Sequence, residues 1–170
     1  MRATITIPLL LLAACSGDAG ADQKAKADTD KAALALAGGQ WETTTEFTQI
    51  TSQDNGEPVL KAGEKIVAST CVGEGEGKKP PAVVLAGVKE GSCSYDNLYM
   101  SRGRLNATIS CTQPGLAGKL MVSADGSYTA DSFETAGDVQ TYLTTDGDAR
   151  GAAKITGRRT GACAPADAKV

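Results

Sequence analysis

The sequence contains no histidine. Imidazole is the usual base beside a serine or cysteine nucleophile and a common metal ligand, so its absence excludes Ser-His-Asp catalysis, Cys-His catalysis and histidine-ligated metal sites. Other catalytic signatures are missing too, because the chain has no Ser-x-x-Lys, Gly-x-Ser-x-Gly, Asp-Thr-Gly or Asp-Ser-Gly. Cys-x-x-Cys, the usual spacing in zinc sites and redox pairs, is also absent. We therefore expect a protein that is not an enzyme and binds no cofactor or metal.

Aromatic residues are scarce, and acidic residues outnumber basic ones. Phe, Trp and Tyr make up 4% of the chain, so the core has to be thin and built from small aliphatic side chains. The formal net charge is −3. Nucleic acid binding depends on clustered Lys and Arg, and this mildly acidic composition excludes nucleic acid as a partner. Two function classes are left: a binding or scaffolding module and, as the alternative, a small envelope hydrolase that works with carboxylates alone.

One apolar run stands out, over residues 5–14 behind Arg2. It is too short to span a bilayer and is typical of a secretory signal peptide. The run ends in Leu12-Ala13-Ala14-Cys15, which resembles a bacterial lipobox. The resemblance implies that residues 1–14 are removed and that Cys15 receives palmitate-type acyl chains, which together attach the protein stably to a membrane. The alternative is an ordinary signal peptide that leaves Cys15 unmodified.

The residue after the lipidated cysteine bears on localisation. In Gram-negative lipoproteins of this type, Asp at that position favours retention at the inner membrane. By resemblance to that sorting rule, Ser16 implies an outer membrane lipoprotein that faces the periplasm. Its contact with the membrane then runs through the lipid on Cys15, while any protein or lipid-like ligand stays unidentified.

Composition divides the mature chain into three parts. Residues 15–39 are mostly Ala, Asp, Lys and Gly, which bury too little surface to offset their chain entropy, so we expect a flexible tether. Residues 40–163 form the predicted folded domain, and residues 164–170 form a C-terminal tail. Removal of residues 1–14 leaves 156 residues with a net charge of −4, enough for one domain of ordinary size.

Apolar and polar side chains alternate after residue 40, which predicts β-strands. On the first of them, Trp41, Thr43, Thr45 and Phe47 share one face. Glycines that recur every 10 to 12 residues predict tight turns between strands of about eight residues: Gly103, Gly115, Gly126, Gly137 and Gly147. We predict an all-β fold, mostly an antiparallel meander of about eight strands, curled into an open barrel or half-barrel. A two-layer β-sandwich is the alternative.

Four cysteines are left once Cys15 is assigned to the anchor. An even number in an oxidising compartment favours two disulfides, drawn from three possible connectivities. A three-residue loop at Ser101-Arg102-Gly103 sets the register of the surrounding hairpin. That register pairs Tyr99 with Leu105, Asn97 with Ala107, Tyr95 with Ile109 and Cys93 with Cys111. It therefore favours a Cys93–Cys111 bond, and Cys71–Cys163 follows by elimination.

Small inward-facing residues provide too little side-chain volume to fill the interior of the predicted sheet at native packing density. One consequence is a partly open apolar groove, lined by Trp41, Phe47, Tyr95 and Tyr99 and suited to a lipid-like ligand. The other, which we favour, is that residues 72–91 fill the groove as a plug.

Two charged segments look like anion sites but are better explained as solvated surface. Residues 73–81 are rich in glycine, yet Glu74 and Glu76 repel phosphate and Pro80-Pro81 does not open the helix that a phosphate-binding loop needs. Three arginines near the C-terminus could meet an anionic headgroup, but we assign them to a solvated outer face: Arg150, Arg158 and Arg159.

The two ends of the predicted domain resemble a known family. They are Gly39-Gln40-Trp41-Glu42-Thr43-Thr44 and Gly157-Arg158-Arg159-Thr160-Gly161-Ala162-Cys163, combined with Cys71, Cys93 and Cys111 between them. The pattern is similar to DUF3617, a family of small proteobacterial envelope proteins that are often exported or lipidated. The resemblance covers about residues 39–163. It implies an envelope domain and carries over no activity or ligand.

Overall fold

The computed structural model describes residues 35–164. Within them lie seven strands, a 3₁₀ turn at Glu76–Lys78 and one short helix, α1, at Ala82–Ala86. The strands are β1 at Gly39–Ser52, β2 at Lys65–Val72, β3 at Ser92–Ser101, β4 at Arg104–Thr112, β5 at Gly118–Tyr128, β6 at Ser132–Leu143 and β7 at Ala149–Gly161.

All seven strands form one antiparallel sheet in the order β2-β1-β7-β6-β5-β4-β3. Strands β3 to β7 are a meander, and the β1–β2 hairpin joins it through β7. The sheet curls into a half-barrel, which confirms the predicted all-β class and rules out the two-layer sandwich. The described residues contain seven strands where about eight were predicted.

The predicted turns at Gly126 and Gly137 are wrong, because both glycines lie inside long strands. Gly126 is paired with Thr135 of β6. A Cβ on Gly126 would overlap the carbonyl oxygen of Glu134, so glycine serves close backbone approach here and not a turn. The chain turns at residues 129–131 instead, where the Thr129 hydroxyl accepts the backbone N–H of Asp131 (3.3 Å).

The register of the β3–β4 hairpin agrees with the prediction only in its first half. Cys93 lies opposite Cys111 and Tyr95 opposite Ile109, as predicted. A bulge at Asp96 then shifts the pairing by one residue. Asn97 pairs with Thr108 and Tyr99 with Asn106, so the predicted Asn97–Ala107 and Tyr99–Leu105 pairs are wrong.

The shift follows from the turn that joins these strands. It has two residues, Arg102 and Gly103, both at positive φ (50° and 75°), where three were predicted. Two positive φ values match the natural twist of a hairpin and make a tight connection. Because the turn is one residue shorter than predicted, the bulge takes up the extra residue in β3.

The concave side of the sheet is filled by the protein's own chain. Helix α1 packs there against β1 to β5 and β7, and its Leu85 is completely buried. Trp41 is also completely buried, and its ring stacks on Phe133 of β6 with centroids 6.0 Å apart. The plug predicted for residues 72–91 is therefore present.

The folded domain begins earlier than the predicted boundary at residue 40. Leu36 is buried, and its backbone N–H donates to the Gly77 carbonyl (3.0 Å). The N–H of Ala37 donates to the Ala130 carbonyl (2.7 Å). Residues 35–39 thus belong to the domain and not to the tether, because Leu36 supplies an apolar side chain that the core needs.

Two disulfides close the domain, Cys93–Cys111 inside the β3–β4 hairpin and Cys71–Cys163 between β2 and the segment after β7. Both match the predicted connectivity. From residue 35 to residue 164, no helix has the length and apolar character needed to cross a bilayer. The predicted signal peptide, Cys15 and most of the tail lie outside the described residues.

Candidate functional site

The four residues predicted to line an apolar groove do not come together. Trp41 and Phe47 are buried in the core. Tyr95 is half-buried, and its hydroxyl donates to the Pro80 carbonyl (2.8 Å); burial raises the pKa of Tyr95. Tyr99 is 57% exposed. The bulge at Asp96 reverses the alternation of β3, which turns Tyr99 away from the interior.

The plug is held by two hydroxyls that face inward from β1. Thr43 donates to the Val84 carbonyl (3.2 Å), and Thr45 donates to the Gly87 carbonyl (2.9 Å). The last carbonyls of a helix have no intrahelical partner, so buried donors are needed there. Sequence reasoning placed Thr43 and Thr45 on the inward face but missed this role. The sequence signal for this role is the presence of two threonines on an otherwise apolar strand face.

Gly87 ends helix α1 in a left-handed conformation (φ 63°). Its N–H donates to the Val83 carbonyl (3.1 Å), a common helix termination. A Cβ here would overlap the Thr45 hydroxyl. Glycine at this position therefore lets the chain reverse while it touches the sheet.

No Asp or Glu side chain among residues 35–164 is buried. Asp54 is the most highly organised carboxylate: its Oδ2 accepts the N–H groups of Gly147 and Asp148, and its Oδ1 accepts that of Gly56, each at 2.8 Å. The amides of Asp148 and Gly56 in particular lower the pKa of Asp54. These bonds tie the β1–β2 loop to the β6–β7 loop, which is a structural role.

Two other carboxylates, Asp125 and Glu134, share a shallow depression on the outer face with Arg104. Asp125 accepts the Asn106 amide (3.2 Å), and Glu134 pairs with Lys154 (2.9 Å). Both acids are thus engaged by neighbouring side chains. Over residues 35–164, no group of three or more Cys, Asp or Glu side chains is placed to hold a metal ion.

One buried hydroxyl, that of Tyr128, has no hydrogen-bond partner in the described domain. Burial raises the pKa of Tyr128; the nearby backbone amide of Gly103 opposes this effect, and the neighbouring Tyr99 phenol adds to it. The hydroxyl therefore costs desolvation without compensation.

An open cleft of about 540 Å³ lies between the 3₁₀ turn and the edge strand β3. We call it the lysine cleft. It is lined by Lys78, Lys79, Tyr95, Asp96, Asn97, Leu98, Tyr99 and Met100. Sequence analysis assigned the lysines to a solvated loop, and nothing local predicted that β3 would lie beside them.

The two ammonium groups of the lysine cleft have no ion pair among residues 35–164. Lys78 and Lys79 are both exposed. The acid in the lining, Asp96, accepts a hydrogen bond from the Ser110 hydroxyl (2.6 Å). Tyr99 and Met100 add amphipathic and apolar surface beside the ammonium groups. The arrangement suits an anionic group with an apolar part.

Comparison with known proteins gives one match. A family model described as protein of unknown function (DUF3617) matches residues 36–163. No curated protein matches the chain, and no protein of solved structure does so.

Proposed function

The chain belongs to DUF3617, a family of proteins of unknown function, and from that premise we propose a lipid-anchored outer membrane protein that faces the periplasm. Its β domain acts there as a non-catalytic binding or scaffolding module. The lipidation motif Leu12-Ala13-Ala14-Cys15 supports the anchor. Two disulfides support export, because such bonds persist in oxidising compartments.

The proposed binding role rests on the filled interior of the domain. Helix α1 occupies the concave side of the sheet, where a small ligand would otherwise bind. Threonine hydroxyls and two disulfides hold the surrounding structure in place. A rigid, filled domain presents its outer surface to partners, and the lysine cleft is an open, charged part of that surface.

Metabolic labelling with a palmitate analogue tests the anchor. The full chain should label and stay with the outer membrane in high salt, while Cys15→Ala should not label and should be released by high salt. Ser16→Ala is the matched control, because it changes the neighbouring residue and keeps the acylated thiol. Equal labelling of Cys15→Ala and the parent chain would contradict lipidation.

Native mass spectrometry tests the binding role. The chain released from its own envelope should carry a non-covalent ligand or partner that dissociates on activation. Recovery of the bare chain alone, across mild extraction conditions that preserve its disulfides, would contradict a binding module.

A further inference from the structure

The chain enters the domain beside the lysine cleft. The N–H of Leu36 donates to Gly77, the residue directly before Lys78. Between Cys15 and the first described residue lie residues 16–34. Their composition predicts a tether, and a random coil of that length would span about 25 Å. A lipid on Cys15 would therefore keep this end of the domain, and not the opposite end, close to the bilayer.

The same end carries unpaired basic residues. The β3–β4 turn lies there, since the N–H of Tyr128 donates to Gly103 (2.9 Å) where the β5–β6 turn begins. Basic residues at this end without an ion pair in the described domain are Lys78, Lys79, Arg102 and Arg104.

The acids at this end are mostly engaged. Glu76 accepts the Gly73 N–H (2.7 Å), and Asp131 pairs with Arg159 (3.8 Å). Glu74 is exposed. A hydrogen-bonded carboxylate keeps its charge, so Glu74, Glu76 and Asp125 offset part of this positive charge. The remaining excess lies at the lysine cleft, where Lys78 and Lys79 share the lining with one acid, Asp96.

The lining of the cleft matches the chemistry of a membrane interface. Lysine ammonium groups bind phosphate as point charges, and a tyrosine ring with one polar end is favoured at the headgroup level. Tyr99 and Lys79 line the same open cleft. Basic residues near an anionic surface are attracted to it.

We propose that the lysine cleft docks on the headgroups of anionic phospholipids and so forms a second membrane contact besides the anchor. This inference rests on the proposed lipid anchor for its orientation. An acidic segment of a partner protein, added to the β3 edge as a further strand, is less favoured. The bulge at Asp96 interrupts the regular backbone ladder that an added strand requires.

Vesicle sedimentation tests the docking without the lipid. The full chain carrying Cys15→Ala is mixed with phosphatidylcholine vesicles, with and without phosphatidylglycerol. Binding should require phosphatidylglycerol and weaken with salt. Lys78→Glu combined with Lys79→Glu should weaken the partition at least about tenfold, because two attractive charges become repulsive. Residues 1–14 are present in every variant and cancel in the comparison.

The matched control is Lys89→Glu combined with Lys119→Glu. It makes the same change in charge at the opposite end of the sheet, where both lysines are exposed and have no ion pair in the described domain. It should leave the partition within about twofold of the parent chain, on the same charge argument. An equal loss in both double variants, or no binding by the parent chain, would overturn the proposal. Palmitate labelling is scored separately, so failure of the anchor and failure of the cleft are distinguishable.

Photocrosslinking in the native envelope distinguishes the two candidate occupants of the lysine cleft, a phospholipid and a protein segment. A photoreactive residue at Tyr99 should yield an adduct with the mass of one phospholipid. The same residue at Tyr142, which is similarly exposed (49%) on β6, should yield none. A protein adduct at Tyr99 without a lipid adduct would overturn membrane docking in favour of a protein partner.

Discussion

Leu85→Ala tests whether the plug stabilises the fold. Leu85 of α1 is completely buried, and the helix contacts six strands of the sheet. Truncating a buried leucine costs about 2–5 kcal/mol, because transfer energy is lost and a cavity is left behind. Alanine is the best helix former, so the helix itself is not weakened. We expect a loss of about 3 kcal/mol and a Tm about 10 °C lower.

Urea unfolding of the full chain gives the free energy, and a hydrophobic fluorescent probe reports the cavity. The parent chain should not bind the probe saturably, and Leu85→Ala should. Val83→Ala is the matched control, because Val83 lies on the same helix and is only partly buried. Its cost should be about 1 kcal/mol.

Two results would refute the reasoning. An equal loss in both variants would mean that α1 is not packed against the sheet as described. Saturable probe binding by the parent chain, weakened by Trp41→Ala, would mean that the groove is open.

Three further predictions concern single polar groups. Thr45→Val should cost about 1–3 kcal/mol in urea unfolding, because the buried Gly87 carbonyl loses its donor; Thr44→Val is its control, and equal costs would argue against the bond. Tyr128→Phe should leave the free energy of unfolding unchanged or raise it, because the removed hydroxyl has no partner in the described domain; a large loss would reveal a missed bond. The folded pKa of Asp54 lies below 3.8, so its stabilisation is complete above pH 3.8 and is lost as pH falls through the folded value. Urea midpoints measured against pH should show this acid loss, and Asp54→Asn should flatten it; an unchanged profile would contradict the role of Asp54.

Much of the sheet could be predicted because alternation and disulfide geometry are local. Trp41 to Phe47 alternate as predicted, and Cys93 lies opposite Cys111. The turns were less predictable, because glycine serves two purposes. At Gly103 it allows a positive φ, whereas at Gly126 it allows a neighbouring strand to approach. The sequence shows that a glycine is present but not which of these two roles it has.

The lysine cleft could not be predicted, because it depends on contacts distant in sequence. Lys78 and Tyr99 line one surface only after the segment between β2 and β3 crosses the concave side. The bulge at Asp96 adds to this, since it decides which side of β3 carries Tyr99. The crossing follows from packing and the bulge from the short β3–β4 turn, and neither has a periodic signature.

The place of β1 in the sheet has a consequence for how the protein is made. Strand β1 lies between β2 and β7, so its second neighbour is the last strand to be synthesised. The meander from β3 to β7 can assemble strand by strand as the chain emerges, since each strand pairs with the one just before it. The β1–β2 hairpin has to wait, with the Trp41 face uncovered, until β7 arrives. If the chain is exported as proposed, we expect periplasmic chaperones to bind it at this hairpin, and the Cys71–Cys163 bond to mark the end of maturation.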